Sequence, residues 1–346
     1  MIHRGDRHRI LRWLWTGQSL VARTARVPLI PFSILWWLVM AIRNWVYRKG
    51  YLPTYDLALP TISVGNLSVG GSGKTPITDW IALQLLAMDT PPAILLRGVG
   101  GDEELVHRET VPGAIVLSGA DRVASARGAI AQGARVIILD DAYQRIDVKR
   151  DLNILLLSAD AAKAVPWNLP AGPWRESWRA IRRADLIIVT RKRAPTEIAE
   201  NLVAKVSKFT EVPVARAELK VSQFSGLLSD RIHHAGVLRN RRVIAAAGIA
   251  DPEAFIAQIK ATGAQVQTAI WRDHHRYSPA DIEWLAAAAR KVDFLVLTAK
   301  DAVKIRPFWP PHAPEPLVAQ LDITWESGRE EVLNLLGRFA IAGVNL

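Results

Sequence analysis

The chain reads as an α/β protein, with a doubly wound sheet, a second and smaller α/β domain, and an apolar helix ahead of both. Three observations predict this. From residue 61 onward, short apolar runs alternate with helical patterns. The first such run is joined to the first helix by a glycine-rich turn, Gly65 to Gly73. Before it, Val27 to Ile42 (VPLIPFSILWWLVMAI) carries no charge at all. At 346 residues there is room for two ordinary domains and a sizeable core. The expected boundaries are a basic helical segment at 1–50, a main domain at 51–207, extended linker strands at 208–240 and a second α/β domain at 241–346.

The N-terminal segment holds most of the charge. The first 50 residues contain nine Lys or Arg against one acid, Asp6, which is +8 of the formal +11. The remaining 296 residues carry only +3, so the high isoelectric point does not indicate nucleic acid as a partner. There is no cysteine, which excludes disulfides and thiolate metal sites and fits a reducing compartment. The uncharged stretch of 16 residues, with two prolines and a serine, is short for a span of roughly 20. Trp13, Trp15, Trp36, Trp37, Trp45, Tyr47 and Tyr51 cluster around it, as aromatic residues do at a membrane interface. Basic flanks add about 1 kcal/mol each near anionic lipid. No small-residue cleavage site follows, which argues against a secretory leader. The expectation is a membrane-associated helix lying in or dipping into the cytoplasmic leaflet; the alternative is an internal core helix.

The elements follow in order. Thr61 to Trp80 (TISVGNLSVGGSGKTPITDW) is an apolar strand, a glycine-rich loop and an amphipathic helix through Ile77, Trp80, Ile81 and Leu85. That order suits a P-loop NTPase-like site. Ser68, Gly70, Gly71, Ser72 and Gly73 would cradle phosphates with successive N–H groups, aided by the helix N-terminus. Lys74 would reach the β- and γ-phosphates of ATP, and Thr75 would ligate Mg²⁺. Ser68 stands where G-x-x-x-x-G-K-[ST] has its first glycine. Further strands are read at Ala93–Arg97, Ala114–Ser118, Arg135–Asp140, Leu152–Leu157 and Asp185–Thr190, with a helix at Asp121–Gln132. Past 240, strands are read at Val243–Ala247 and Phe294–Thr298, with helices opening at Pro252 and Pro279. The strand from Arg135 ends in Asp140 and Asp141, where a P-loop fold places its Mg²⁺-binding acid. Adjacent strand residues point to opposite faces, so only one of the two faces the metal unless the chain turns there.

Together these motifs resemble one family. GNLSVGGSGKTP (Gly65–Pro76), LLRGVGG (Leu95–Gly101), DDAYQ, LPAGPWRE (Leu169–Glu176), RDHHRYS (Arg272–Ser278) and LTAKDAVK (Leu297–Lys304) occur in the order of tetraacyldisaccharide 4′-kinases. PFSILWW with Arg43 and Tyr47 resembles the N-terminal pattern of that family, which has Ser or Thr at the Ser68 position. The resemblance implies a monomeric kinase at the cytoplasmic face of the bacterial inner membrane. Its substrate is a lipid disaccharide: the ATP γ-phosphoryl group goes to the 4′-hydroxyl of a tetraacyl glucosamine disaccharide 1-phosphate in lipid A biosynthesis. It implies Asp102, in Gly101-Asp-Glu, as catalytic base and His274, in Asp273-His, as its partner.

The chain departs from the family pattern in several places. The loop between RGVGG and GDE is missing, so Gly101 ends one motif and starts the next, and Glu104 replaces a proline. Arg97 and Arg122 are candidate phosphate contacts, and Arg175 with Glu176 a shaping pair. Two other functions are open. A GTPase needs an N-K-x-D motif, which Thr298-Ala-Lys-Asp301 does not match. A catalytically weak, membrane-bound nucleotide-binding regulator is the alternative that the shortened loop leaves.

Overall fold

Parallel strands covered on both faces have no solvent side, so their sequences are apolar throughout rather than alternating. The strands flanking the glycine-rich turn show this pattern. In the computed structural model, which describes residues 2–3, 6–98, 101–229 and 231–342, they are buried from end to end. In chain order the elements begin β1 (Ile2–His3), α1 (Asp6–Thr16), α2 (Leu20–Arg26), α3 (Ile30–Arg48), β2 (Thr61–Asn66), α4 (Lys74–Ala87), β3 (Pro92–Leu96) and α5 (Asp102–Thr110). Next come β4 (Ile115–Ser118), α6 (Arg122–Ala131), β5 (Val136–Asp140), β6 (Leu152–Ser158), β7 (Leu186–Arg191) and α7 (Thr196–Ser207). The rest are β8 (Val214–Gly226), β9 (Ile232–His234), β10 (Arg242–Ala247), α8 (Pro252–Ala261), β11 (Gln265–Ile270), α9 (Pro279–Ala289), β12 (Phe294–Thr298), α10 (Ala299–Ile305), β13 (Leu317–Ser327) and α11 (Arg329–Ala342).

The chain divides into two compact units: Ile10–Glu218 with the chain from Trp325 on, and the N-terminal residues up to Arg9 with Leu219–Thr324. The sequence reading placed boundaries at 207 and 240. The division instead falls inside β8 and again inside β13, and α11 belongs with the larger unit.

In the larger unit the strand order is β4-β3-β5-β2-β6-β7-β8, all parallel. The P-loop strand β2 is central, and its register pairs Val64 with Asp140 of β5. Asp140 is therefore delivered to the mouth of the glycine-rich loop by backbone pairing alone. Helix α4 packs on β2, β3 and β5, and α11 packs on α4, with Trp80 and Trp325 edge to face at 4.8 Å.

Helix α3 uses its few polar residues to dock on the rest of the larger unit. Ser33 Oγ donates to Asn168 O and accepts from Ala171 N, both at 2.9 Å. Trp36 Nε1 donates to Arg175 O (2.9 Å), Arg43 to Gln144 O (3.0 Å) and Asn44 Nδ2 to Glu176 Oε2 (2.8 Å). Positions 33, 36, 43 and 44 share one helical face. On the rest of the surface Phe32, Leu35, Leu38, Val39 and Ile42 are exposed. Leu20–Arg48 is long enough to cross a membrane and holds an 18-residue stretch apolar enough to do so, with a mean hydropathy of 1.7.

In the smaller unit β1, β11, β10, β12 and β13 are neighbours in that order and parallel, and β9 pairs antiparallel with β8. Residues 208–240, expected as linker strands, thus supply two paired strands. Trp271, Leu285, Leu297 and Ile305 lie in the core of this unit. Helix α9 opens with a capping box, Ser278 and Asp281 each bonding the other's backbone.

Candidate functional site

The glycine-rich loop has the backbone its sequence requires. Gly70 and Gly73 lie at φ 125° and 85°, which side chains disfavour. Gly73 is the N-cap of α4, and no protein side chain caps the first turn there. The N–H groups of that turn, with the helix dipole behind them, are left for an anionic ligand. The loop is held from behind: Asn66 Nδ2 donates to Ser72 Oγ (2.8 Å), Thr190 Oγ1 to Ser72 O (2.8 Å) and Lys192 Nζ to Gly71 O (3.0 Å). Ser68 lies in a segment bridged to Trp174, with Val69 N donating to Pro173 O and Arg175 N to Leu67 O.

At the tip of β5 the two acids part. Asp141 takes φ 49°, a left-handed conformation that Asp tolerates better than most residues, so the chain does turn between them. Asp141 Oδ1 receives Arg175 Nη1 at 2.8 Å and stands 3.6 Å from Lys74 Nζ. Asp140 is 3 % exposed and accepts from Thr78 Oγ1 of α4 at 3.1 Å. His107, fully buried on α5, presents Nδ1 to Asp79 Oδ1 at 2.5 Å and Nε2 to Asp140 Oδ2 at 3.6 Å, an ion-pair distance too long for a hydrogen bond. Burial alone would lower the pKa of this imidazole, but Asp140 and Asp79 outweigh it and hold it up at about 10. Burial pushes the Asp79 carboxyl up, and His107 pulls it back.

Asp102 is the first residue of α5, after Gly101 in the left-handed region. It is 3 % exposed, so it is no solvated acid of an open loop. Val99 and Gly100 of the RGVGG run lie outside the described residues. Arg122, read as a candidate phosphate contact, is instead buried, with Nη1 donating to the carbonyls of Leu96 and Gly119. Arg97 is exposed.

His274 is in the smaller unit and Asp102 in the larger. His274 has φ 54°, and its Nε2 stands 3.8 Å from Asp273 Oδ2. The turn is fixed by its neighbour: His275 Nε2 meets Asp281 Oδ2 at 3.1 Å and stacks on Trp271, whose Nε1 donates to Asp281 Oδ1 at 3.3 Å. Burial raises the Asp281 pKa, but bonds from Ser278, His275 and Trp271 outweigh it and bring the group down to about 2.

The donor set fits a Mg²⁺-bound triphosphate. Thr75 and Asp140 flank the uncapped helix start with Lys74 beside them. Among the described residues no three His, Cys, Asp or Glu side chains form a metal cage. Mg²⁺ with substrate phosphates needs only one or two carboxylates. Sequence reasoning missed Asn66, Asp79, His107, Thr190 and Lys192. Asn66, Thr190 and Lys192 had a usable signal, at or just past the carboxyl end of a parallel strand where such sheets bind ligands.

A central P-loop strand, an uncapped loop-to-helix turn and acids at the neighbouring strand tip define a P-loop protein of the nucleoside-triphosphate-binding class. The family profile described as tetraacyldisaccharide-1-P 4′-kinase matches residues 25–109 and 99–338. The two stretches meet where the loop before Gly101-Asp102 is missing. The tetraacyldisaccharide 4′-kinase of Pelobacter propionicus is 35 % identical over 89 % of this chain and 91 % of its own length. That of Aromatoleum aromaticum is 33 % identical over 85 % and 88 %. The crystal structure of LpxK from Aquifex aeolicus in complex with ATP superposes with a TM-score of 0.72 at 28 % identity, over 91 % of this chain and 99 % of that one. The chain belongs to the tetraacyldisaccharide 4′-kinase family. It is an ATP-dependent lipid A kinase, and the weak-regulator alternative is not favoured.

Proposed function

We propose that the larger unit is the kinase unit and that Lys74, Thr75, Asp140 and Asp141 serve the transfer of the ATP γ-phosphoryl group to the 4′-hydroxyl of the tetraacyl disaccharide 1-phosphate. The observation that carries this is the meeting of Lys74 and Arg175 on Asp141, beside the uncapped start of α4. Mg²⁺-ATP, when bound, supplies the transferable group and neutralises charge on its β- and γ-oxygens. The protein residues do the rest. Ser68, Gly70, Gly71, Ser72 and Gly73 hold phosphate oxygens through the loop backbone, and Lys74 places a fixed positive charge there. Thr75 and Asp140 would hold Mg²⁺, with Asp141 as the second acid at the same strand tip, and Asp141 orients Lys74. Asp102 takes the proton of the acceptor hydroxyl, and His274 tunes and orients that acid.

The acceptor's acyl chains stay in the bilayer, so the enzyme works at a membrane surface. Helix α3 supports this: its docked side is polar and its outward side is a row of exposed apolar residues flanked by the exposed Arg23, Arg48 and Lys49. Hydrogen bonds from Ser33 to Asn44 tie the helix along the larger unit. A helix held this way lies in the leaflet rather than crossing it alone. We assign the enzyme to the cytoplasmic face of the inner membrane, as a monomer.

The test is kinase turnover with ATP and disaccharide 1-phosphate. Asp102→Ala lowers kcat far more than it raises KM for ATP, and His274→Ala does so to a lesser degree. A double mutant no worse than Asp102→Ala shows that the two act as one unit. Strictly additive losses separate their roles, and a near-parental Asp102→Ala moves the base to another acid.

A further inference from the structure

Helix α5 carries the proposed base at its first residue, and one turn and a half later it carries a histidine that no part of the reaction above uses. His107 is fully buried, and its two ring nitrogens face two different elements. Nδ1 is bonded to Asp79 of α4, five residues along the helix that Lys74 begins. Nε2 faces Asp140 Oδ2, at the tip of β5. The other oxygen of Asp140 accepts from Thr78, again on α4. The Asp140 carboxylate is therefore steadied on one oxygen by the P-loop helix and on the other by α5.

Such a triangle is costly to keep for stability alone. Two carboxylates and an imidazole out of water each lose hydration, and a well-packed apolar set of similar volume is often as stable or more so. A group that fixes a metal-binding carboxylate does something an apolar side chain cannot do: it sets the plane and position of the oxygens. It also ties the helix bearing Asp102 to the strand tip bearing Asp140, so that base and metal acid share one frame.

We propose that His107 is a positioning residue for this kinase, anchored by Asp79, which orients Asp140 toward Mg²⁺ and locks the α5 start to the phosphate site. The proposal rests on the reading of Asp140 as a metal ligand.

The experiment uses the full-length enzyme in detergent, with Mn²⁺ as the probe. Mn²⁺ binding in the presence of ATP is followed by its EPR signal, alongside kcat, KM and thermal melting. Three variants are compared: His107→Gln, the paired Asp79→Leu/His107→Leu, and Asp140→Asn as a control on the underlying reading. The paired variant removes both charges of the buried bridge and keeps bulk in the core. The expected result is a folded protein whose Mn²⁺ affinity and kcat both fall about 10- to 100-fold, the range for loss of a group that orients a metal ligand. KM for the disaccharide stays near the parental value. His107→Gln, whose N–H donors sit on one nitrogen rather than on two separate ring positions, recovers part of the loss. If Asp140→Asn weakens Mn²⁺ binding while folded His107 variants bind Mn²⁺ normally, the proposal is overturned and the metal reading stands. If Asp140→Asn itself leaves Mn²⁺ binding unchanged, the metal reading fails, and the proposal with it. Failure of both His107 variants to fold would make the residue purely structural and would also overturn it.

Discussion

Gly65 is the most exacting test of how closely the phosphate loop and the acid-bearing turn are packed. It sits in β2, one residue after Val64, and its φ lies outside the left-handed region, so alanine meets no conformational penalty there. The cost is space alone. An added Cβ would lie 2.7 Å from Tyr143 N, 2.8 Å from Tyr143 Cβ and 3.3 Å from Ala142 N. To reach ordinary contact at 3.4 Å, the backbone at Tyr143 must retreat by about 0.7 Å. Tyr143 has little freedom to do so, since its ring is buried and its hydroxyl donates to Ala180 O at 2.6 Å. The displaced segment begins with Asp140 and Asp141. Overpacking of this kind costs about 1–3 kcal/mol, and each kcal/mol lowers Tm by about 2–4 °C in a unit of this size. A misplacement approaching 1 Å at groups that position phosphates costs up to about 100-fold in rate. Gly65→Ala is therefore expected to melt a few degrees lower and to lose about 10- to 100-fold in kcat, measured by calorimetry and disaccharide phosphorylation. A variant with parental kcat would refute the idea that the acid turn is rigidly coupled to β2. Parental kcat with a lowered Tm would place the strain elsewhere.

Three further outcomes are expected. Lys74→Ala removes a charge aimed at the phosphates and should lower turnover by about 10²- to 10³-fold, while Arg175 keeps Asp141 in place; near-normal turnover would mean the phosphate site is misassigned. Leu35→Glu with Val39→Glu places two charges on the exposed side of α3 without touching Ser33, Trp36, Arg43 or Asn44, and should shift the protein from the membrane to the soluble fraction at unchanged Tm; continued sedimentation with membranes would locate lipid contact elsewhere. Asp281 titrates at about 2 rather than the ordinary 3.8, so its stabilisation is complete above pH 3.8 and lost as the pH falls through 2. Urea midpoints of wild type and Asp281→Asn should therefore converge between about pH 4 and 2, and a constant gap would show that the carboxylate is not what the turn depends on.

How much of this was legible depended on whether the physics was local. The strands of the larger unit were readable because a parallel sheet covered on both faces demands unbroken apolar runs, and the glycine-rich loop because its glycines and Lys-Thr stand at fixed spacing. Helix α5 was not read: DEELVHRET looks like an acidic loop, although three acids in a first turn also suit a helix N-terminus. β11 (QVQTAI) has neither an unbroken apolar run nor a strict alternation and is weaker than its neighbours as a strand signal. The Asp140–Asp141 pair could be resolved only by the left-handed φ of Asp141. His107 and Asp79 are 28 positions apart, and no spacing rule joins them. Ser33 and Asn44 look in the sequence like flaws in an apolar helix; their partners near residues 168–176 turn them into its attachment points.

Most of the smaller unit, Leu219–Thr324, interrupts the larger one in the chain, and this fixes the order of events on the ribosome. The apolar helix α3 and the phosphate loop are made early, but α11, which covers α4, and Trp325, which meets Trp80, follow residues 219–324 in the chain. The nascent chain thus displays its apolar helix long before its nucleotide fold has its final cover. Under the proposed membrane-surface function, delivery to the bilayer can precede completion of the enzyme.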